Sequence, residues 1–365
     1  MARHHVAAGL AGVFLLAGCS AGSPETGVVI PSVNPAPPGA AEVTPGPEHG
    51  RLKTGPNRGT LQSGGVQRTY LLQRPATAPA ATAATAATTT APVATTAPET
   101  GTGPGTASPP PTPTGPAGSV AATATEGARV PLVIALHGRG GHARGMRKGT
   151  RLGRFARDML VAYPQGLDRH WDDGPGLARD VRFLRDLIDH LVRREGADPA
   201  RVYLAGFSNG GGMALRFAAD HPELVRGVVA VAAQLPPDIT PRGPVPVLLI
   251  HGDRDPHRPL TALPSPGPGR TASIGVTATA EAFAKPAGAR ADTGRDLPDR
   301  DPHDGTTLRR TRWEGGRAPV ELLLVRGGGH AWPGWAGSPR LSANGVSSRE
   351  LDAGRRAIAF FRMTG

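Results

Sequence analysis

Apolar runs alternate with amphipathic segments from about residue 128 to the end of the chain. Continuous apolar runs suit strands that are buried on both faces, as in parallel sheets. Between two of them, apolar residues recur at helical spacing after Asp180, which predicts a helix with that residue as its N-cap. This alternation predicts an α/β fold, a mostly parallel sheet with helices on both faces. The predicted strands are 131–136, 159–163, 202–205, 225–233, 247–250 and 320–325.

A final helix is predicted near the carboxyl end of the chain. The sequence Ser347-Ser348-Arg349-Glu350 has the pattern of a capping box, in which a serine and a glutamate satisfy the first amides of a helix. We expect the helix that begins there to present Leu351, Ile358 and Phe361 to the core.

Residues 1–19 have the layout of a secretory signal. A basic start at Arg3 precedes the apolar run 6–16, which is too short for a membrane-spanning helix. The run ends in Leu16-Ala17-Gly18-Cys19, which resembles the lipobox of bacterial lipoproteins, where the cysteine thiol accepts diacylglycerol. Acyl chains on Cys19 would anchor the protein, since each buried methylene contributes about 0.8 kcal/mol. We expect an extracytoplasmic protein, lipid-anchored to the bacterial cell membrane or secreted. The alternative is a chance cysteine in an ordinary signal peptide.

Two stretches, 20–60 and about 75–127, lack apolar periodicity and are rich in small residues, Thr and Pro. Such sequences bury too little apolar surface to offset the entropy of ordering, so we expect a disordered tether and a disordered insertion. The segment 67–72 between them has the composition of a strand. We interpret it as the first strand of a catalytic domain that spans 61–365 and contains the insertion. The alternative is that it is linker too.

The net charge of +12 raises the possibility of an anionic partner. The basic residues are scattered among acids, as in Arg179-Asp180 and Arg185-Asp186, with no basic stripe interleaved with aromatic residues. This distribution argues against nucleic-acid binding. The single cysteine excludes an internal disulfide and a cysteine-cluster metal site.

The sequence Gly206-Phe207-Ser208-Asn209-Gly210 matches G-x-S-x-G between a predicted strand and a helical segment. This is the context of a nucleophile elbow, a sharp turn that projects a serine hydroxyl above the sheet. A serine hydroxyl is a weak nucleophile at neutral pH, so it needs a general base, oriented in turn by an acid. Ser208 is therefore the candidate nucleophile.

The acid and the base should follow later strands, because α/β-hydrolases place them in the order Ser, acid, His. The strand 247–250 runs into a loop that contains Asp253 and Asp255, of which we favour Asp255. The last predicted strand leads into a glycine-rich turn with His330, the best candidate for the base. His303 lies in an Asp-rich loop and is expected at the surface. His251 and His257 are too near the acid in sequence to be its easy partner.

Acyl transfer also needs donors for the oxyanion. We expect the backbone N–H of Asn209, which follows the nucleophile, and that of Arg139, in the glycine-rich loop 137–141. That loop lacks the Lys-Ser/Thr of a P-loop and the full G-x-G-x-x-G spacing, so a nucleotide is not expected. The histidines show no H-x-x-x-H or comparable spacing, which argues against a metal site.

With these residues in place, the chain resembles secreted polyhydroxybutyrate depolymerase-type esterases, relatives of the feruloyl and acetyl-xylan esterases of carbohydrate esterase family 1. The matching stretches are 131–138, 163–166 with Trp171, 180–189, 198–211, 251–255 and 328–334. The resemblance implies an α/β-hydrolase fold and hydrolysis of carboxylic esters through an acyl-enzyme, without metal or organic cofactor. By position it assigns the nucleophile, acid and base to Ser208, Asp255 and His330. Its oxyanion loop falls on Arg139, where relatives often have cysteine.

Hydroxyalkanoate oligomers, feruloyl or acetyl esters and other short esters are the expected substrates, rather than crystalline polymer. Trp332 and Trp171 are candidates for the walls of the substrate pocket, with buried packing roles as the alternative. A serine peptidase on the same triad and a non-catalytic cell-surface binding lipoprotein are the competing functions.

Overall fold

The computed structural model describes residues 57–75, 129–264 and 272–365. Thirteen strands, six helices and two 3₁₀ turns, Leu167–Arg169 and Pro222–Leu224, lie within these ranges. The strands are β1 (Asn57–Ser63), β2 (Val66–Gln73), β3 (Val130–Leu136), β4 (Leu160–Pro164), β5 (Ala197–Phe207), β6 (Gly227–Val231), β7 (Val247–Gly252), β8 (Arg290–Ala291), β9 (Arg295–Asp296), β10 (Thr307–Glu314), β11 (Val320–Arg326), β12 (Leu341–Ser342) and β13 (Gly345–Val346). The helices are α1 (Ala143–Thr150), α2 (Leu152–Phe155), α3 (Arg179–Glu195), α4 (Asn209–Asp220), α5 (Val276–Ala287) and α6 (Ala353–Thr364).

One large sheet runs through the fold in the order β1-β2-β4-β3-β5-β6-β7-β11-β10-β8, with β9 also paired to β10. The central strands β4, β3, β5, β6, β7 and β11 are parallel, and antiparallel strands flank them on both sides. These six strands are the ones that the apolar runs predict. The prediction of a mostly parallel sheet is confirmed.

Both faces of the sheet are covered, which is why its central strands are mostly apolar on both sides. Along β3, Leu132, Ile134 and Leu136 join the core beneath α3, α4 and α5, whereas Val133 and Ala135 join the core beneath α1 and α6. Successive side chains of a strand point to opposite faces, so a strand between two helical layers must be apolar at both. The helices on both faces follow from this pattern.

The amino-terminal edge of the sheet is a β-hairpin, formed by β1 and β2 with Ser63 paired to Val66. Gly64 and Gly65 make its two-residue turn with φ values of 57° and 78°, a backbone that glycine adopts without strain. The predicted strand 67–72 lies within β2, but it is the second strand of the sheet and not the first. The prediction that 57–60 belong to a disordered tether is wrong, because β1 begins at Asn57.

The cap predicted for helix α3 is wrong. The helix begins at Arg179, and Asp180 lies in its first turn, completely buried. Its carboxylate accepts hydrogen bonds from the Arg68 guanidinium at 2.7 Å and from the backbone N–H of Asp172 at 2.9 Å. Asp180 therefore joins the hairpin to the helix instead of capping it.

The capping box predicted at Ser347–Glu350 is also wrong, since α6 begins at Ala353 with Asp352 as its cap. The carboxylate of Asp352 accepts a hydrogen bond from the backbone N–H of Arg355 at 3.0 Å. Glu350 is buried and accepts hydrogen bonds from the backbone N–H groups of Arg300 and Asp301. Ile358 and Phe361 are buried on α6 as predicted, while the half-buried Leu351 precedes the helix.

Several predictions fall on residues that the structure does not describe: the signal 1–19 with Cys19, the tether up to residue 56, and the insertion from residue 76 to its end. They stay predictions. Within the described ranges, none of the helices combines the length and the apolar character needed to span a bilayer.

Candidate active site

Ser208 lies on a sharp turn between the end of β5 and the start of α4. Its backbone has φ 53° and ψ −122°, a strained conformation for a residue with a side chain, and its N–H donates to the Val231 carbonyl at 2.9 Å. The turn is so tight that a Cβ on Gly206 would lie 2.2 Å from the carbonyl oxygen of Gly210. On Gly210 a Cβ would lie 2.4 Å from the carbonyl oxygen of His137. The two glycines of the motif are required by this close packing.

Three side chains that are far apart in sequence meet at the carboxyl ends of β5, β7 and β11. The imidazole Nε2 of His330 lies 2.9 Å from the hydroxyl of Ser208, and its Nδ1 lies 2.7 Å from a carboxylate oxygen of Asp255. The carboxylate accepts the Nδ1 proton, which leaves Nε2 free to accept the serine proton. This is the arrangement that activates a serine as a nucleophile.

Asp255 is buried and ionised. Its other carboxylate oxygen accepts the backbone N–H groups of His257 and Arg258, each at 2.8 Å. Burial raises the pKa of Asp255, but the hydrogen bond from His330 and those two amides outweigh burial and leave the pKa below its ordinary value. A permanently charged carboxylate fixes the orientation of the imidazole and stabilises it when it takes a proton.

The loop that carries His330 is held by the small β12–β13 hairpin. The backbone N–H of His330 donates to the Asn344 carbonyl at 2.7 Å, and that of Gly329 donates to Val346 at 2.9 Å. The amide oxygen of Asn344 lies 3.0 Å from Nε2 of His257, whose ring packs edge-on against His330. Asn344 and His257 therefore brace the imidazole, and the sequence analysis missed both roles because they depend on a contact between distant loops.

The competing acid and histidines make other contacts. The carboxylate of Asp253 accepts the backbone N–H of Gly327 at 2.7 Å, so it shapes the loop before His330. His303 is exposed, as predicted. His251 is buried beside Asp255, with its Nε2 2.7 Å from the Arg258 carbonyl, and burial lowers its pKa. His251 is thus a neutral support beneath the acid loop.

The loop after β3 lies beside the serine. His137 is buried, accepts the backbone N–H of Gly166 at 3.1 Å, and its pKa is lowered by burial. The backbone of Asn209 begins helix α4, where the first N–H groups have no acceptor within the helix. Arg139 is exposed and lines the same cavity as Ser208 and Asn209. Both predicted oxyanion residues therefore line the same cavity as Ser208.

The prediction that Trp171 and Trp332 form the pocket walls is wrong. Trp171 is fully buried; its indole donates to the His137 carbonyl at 2.8 Å, and its backbone N–H donates to the Asn209 side chain at 2.8 Å. Trp332 is buried in the core beneath α6. Large aromatic side chains bury the most apolar area, which favours burial of both tryptophans in the core. Trp171 still serves the site indirectly, because it ties the loop after β3 to the residue that follows the serine.

A cavity of about 460 Å³ opens over the serine hydroxyl. Its lining includes both Ser208 and His330, with Arg139, Arg258, His257 and Asn344. This volume suits a small organic ligand. Among the residues that the structure describes, no three His, Cys, Asp or Glu side chains are grouped as a metal ion would require.

Comparison with known proteins agrees with this geometry. A family model described as phospholipase/carboxylesterase matches residues 165–263, which include Ser208 and Asp255. The relative named "Putative esterase NocK", from Nocardia uniformis subsp. tsuyamanensis, is 37% identical over 256 residues, which are 63% of this chain and 73% of that protein. The chain belongs to the phospholipase/carboxylesterase family. This membership confirms the α/β-hydrolase fold that the sequence predicts.

The chain is also more distantly similar to two other esterases. Feruloyl esterase B of Piromyces equi is 30% identical over 139 residues, 34% of this chain and 26% of that protein. The solved structure of an acetyl xylan esterase from Aspergillus awamori shares 15% identity, covers 55% of this chain and 84% of its own, and has a TM-score of 0.42. The family assignment is that of a carboxylesterase-type hydrolase.

Proposed function

We propose that the chain is an extracytoplasmic serine esterase that hydrolyses short carboxylic esters through an acyl-enzyme. The observation that carries the proposal is the hydrogen-bonded chain from the Ser208 hydroxyl through His330 to the buried carboxylate of Asp255. Those distances, 2.9 Å and 2.7 Å, are short enough for a proton to move as the oxygen attacks. Membership of the phospholipase/carboxylesterase family supports the same chemistry.

In this mechanism the Ser208 oxygen attacks the ester carbonyl while Nε2 of His330 takes the hydroxyl proton. Asp255 stabilises the imidazolium that forms, and it does not itself take the proton. The backbone N–H groups of Asn209 and Arg139 hold the oxyanion, a contribution worth about 3 kcal/mol per donor. The imidazolium then returns its proton to the leaving alcohol. Water repeats the sequence on the acyl-enzyme and releases the acid.

The N-terminus of helix α4 adds to the stabilisation of the oxyanion. Helix dipoles place partial positive charge at their first turn, and α4 begins directly after the nucleophile. Ser208 has a positive φ, and its hydroxyl lies 2.9 Å from Nε2 of His330. The strained turn and the dipole therefore act on the same reacting oxygen.

Fluorophosphonate labelling tests the nucleophile directly. We expect the full-length wild type to be labelled stoichiometrically and Ser208→Ala to be unlabelled. Ser338→Ala, which removes an exposed hydroxyl away from the cavity, is the matched control and should be labelled like the wild type. An unlabelled wild type or a labelled Ser208→Ala would refute the assignment.

The substrate is proposed within a narrow range: hydroxyalkanoate oligomers, feruloyl or acetyl esters, or other short esters. The resemblance to polyhydroxybutyrate depolymerase-type and feruloyl esterases supports this range, and the open cavity of about 460 Å³ suits small molecules. Measuring kcat/KM for a panel of acetyl, butyryl, hydroxybutyryl and feruloyl esters would rank these substrates. A serine peptidase would instead cleave peptide anilides faster than p-nitrophenyl acetate. A non-catalytic binding lipoprotein would cleave neither.

We further propose that a lipid on Cys19 tethers the enzyme to the outside of the cell membrane. The support is the sequence Leu16-Ala17-Gly18-Cys19 at the end of the apolar run. Wild-type protein expressed in a bacterial host should incorporate labelled palmitate and sediment with membranes. Cys19→Ser should do neither, whereas Ser20→Ala should behave as the wild type. Palmitate incorporation by Cys19→Ser would refute the proposal.

A further inference from the structure

The oxyanion loop, residues 137–141, is rich in glycine. Three of its five residues are glycines, and Gly140 has a φ of 71°. Glycine loses more conformational freedom on folding than any other residue, so a loop of this composition does not hold one conformation by itself. The proposed oxyanion donor, the backbone N–H of Arg139, lies in the middle of this loop. Its placement therefore depends on the contacts that hold the loop.

The first half of the loop is held by the buried imidazole of His137. The carbonyl oxygen of Gly138 lies 2.8 Å from its Nδ1 and accepts the backbone N–H of Gly141 at 2.9 Å. Nε2 of the same neutral ring accepts the backbone N–H of Gly166, so Nδ1 carries the ring proton and donates it. In a trans peptide the N–H points opposite to the carbonyl. Holding the Gly138 oxygen therefore also sets the direction of the Arg139 N–H.

Arg169 holds the second half of the loop with both its backbone and its side chain. The backbone N–H of Gly140 donates to the Arg169 carbonyl at 2.8 Å, and the Arg169 guanidinium donates to the Gly140 carbonyl. Nε of the same guanidinium donates to the Gly141 carbonyl at 3.3 Å. Both backbone groups of Gly140 are thus bonded to one residue. This clamp fixes the peptide plane that follows Arg139, as His137 fixes the plane that precedes it.

The turn that presents Arg169 has a strained backbone. Asp168 and Arg169 have φ values of 50° and 57°, left-handed conformations that residues with a side chain rarely adopt. Such conformations persist where surrounding contacts determine them, and they cluster at functional sites. The Arg169 side chain is exposed, so burial does not account for the geometry of the turn. The contacts that the turn makes with the oxyanion loop do account for it.

We propose that Arg169 is a positioning residue, which holds the oxyanion loop so that the N–H groups of Arg139 and Asn209 meet the same oxygen. The proposal rests on the esterase function above and adds a residue to its machinery. Arg169 is not among the described residues that line the cavity, so it acts through the loop and not on the substrate. Deletion of an oxyanion donor lowers kcat about 10²–10³-fold. Loss of the clamp displaces a donor without deleting it, so we expect a smaller fall, of about tenfold.

Hydrolysis of p-nitrophenyl butyrate by the full-length enzyme tests the clamp. Arg169→Met keeps the apolar stem but removes every side-chain donor, and its kcat per fluorophosphonate-labelled site should fall about tenfold. Acylation and deacylation both pass through an oxyanion, so both slow together and KM should stay within about twofold. Arg169→Lys keeps a charged donor and should recover part of kcat. Arg144→Met removes the same charge from an exposed position on α1, which follows the loop, and should behave as the wild type.

A pair of ketone inhibitors separates displacement of the oxyanion donor from general damage to the site. With trifluoromethyl butyl ketone, the Ser208 oxygen bonds to the carbonyl carbon, the hydroxyl proton passes to His330, and the carbonyl electron pair becomes an oxyanion. The affinity of Arg169→Met for this ketone should fall by the same factor as kcat/KM, because both depend on the oxyanion donors. Methyl butyl ketone binds without this addition, so its affinity should change less than about twofold.

The outcomes separate this inference from the function beneath it. A wild-type kcat per labelled site in Arg169→Met would overturn the clamp and leave the esterase intact. A fall in kcat that leaves the affinity for the trifluoromethyl ketone unchanged would also overturn it. An equal fall in Arg144→Met would trace the effect to charge near the loop and overturn it too. If Ser208 of the wild type is not labelled and no ester is hydrolysed, the esterase function itself fails.

Discussion

The buried ion pair between Arg68 and Asp180 ties the β1–β2 hairpin to helix α3. Their side chains are 1% and 0% exposed, and the guanidinium lies 2.7 Å from the carboxylate. The guanidinium carbon also lies 3.7 Å above the centre of the Phe183 ring. Removal of either partner breaks this buried pair, which costs about 3–5 kcal/mol. The half-exposed Arg179, 3.6 Å from the other oxygen of Asp180, is a weaker second partner for the carboxylate. For a domain of this size, that loss corresponds to a fall in Tm of roughly 6–20 °C.

Thermal and urea unfolding of full-length Arg68→Met, Asp180→Asn and the double variant measure this loss. Each single variant should lose about 3–5 kcal/mol, and the double variant should lose clearly less than their sum, since it leaves no unpaired charge. Arg182→Met, at an exposed position of the same helix, should change stability by less than about 0.5 kcal/mol. A loss below about 1 kcal/mol in Arg68→Met would refute the reasoning.

Three further outcomes follow, two from the active site and one from a buried carboxylate outside it. Ser208→Gly should abolish activity. It should also raise the free energy of unfolding in urea by about 1 kcal/mol, because glycine adopts a φ of 53° without strain. A lower free energy of unfolding would contradict the idea that the backbone of Ser208 is strained. Asp255→Asn should lower kcat about 10⁴-fold. Asp253→Asn is the control and should lower kcat less than tenfold. Equal losses of kcat in the two variants would contradict the assignment of Asp255 as the catalytic acid. The pKa of Asp304 is raised by burial but lowered overall by hydrogen bonds from Thr306 and the Arg349 amide. The ionised Asp304 therefore stabilises the folded protein above the carboxylate's unfolded pKa of about 3.9. This stabilisation is lost as the pH falls below that value. Asp304→Asn should lose less free energy of unfolding between pH 6 and pH 3 than the wild type, and an identical loss would contradict this.

The features that could be predicted from sequence depend on short stretches. Apolar runs identify the six parallel strands, because burial on both faces favours apolar side chains at most positions. The two glycines around Ser208 identify the turn, since Gly206 and Gly210 each have a backbone carbonyl within 2.4 Å of where a Cβ would lie. His330 follows a strand through three glycines, so its placement at the sheet edge also follows from local sequence.

The features that could not be predicted depend on which loops meet. Asp180 has the sequence context of an N-cap, but Arg68 lies 112 positions away in sequence and converts it into half of an ion pair. Strand β10 contains three arginines, Arg309, Arg310 and Arg312, and has no apolar run. It can be recognised as a strand only from its pairing with β11. The hairpin around Asn344 likewise has no distinctive composition.

The two tryptophans show why pocket walls are harder to predict than catalytic atoms. A nucleophile, an acid and a base must each come from a few residue types, and the backbone around them is constrained by glycines. A pocket wall can be any side chain that the loops leave exposed, and the largest apolar side chains are those that a fold gains most by burying. Trp171 thus packs behind the oxyanion loop, and smaller apolar and polar side chains such as Phe207, Leu263 and Asn344 line the cavity. Because side chains outside the catalytic triad line most of the cavity, the resemblance of the catalytic motifs to those of other esterases does not identify the substrate.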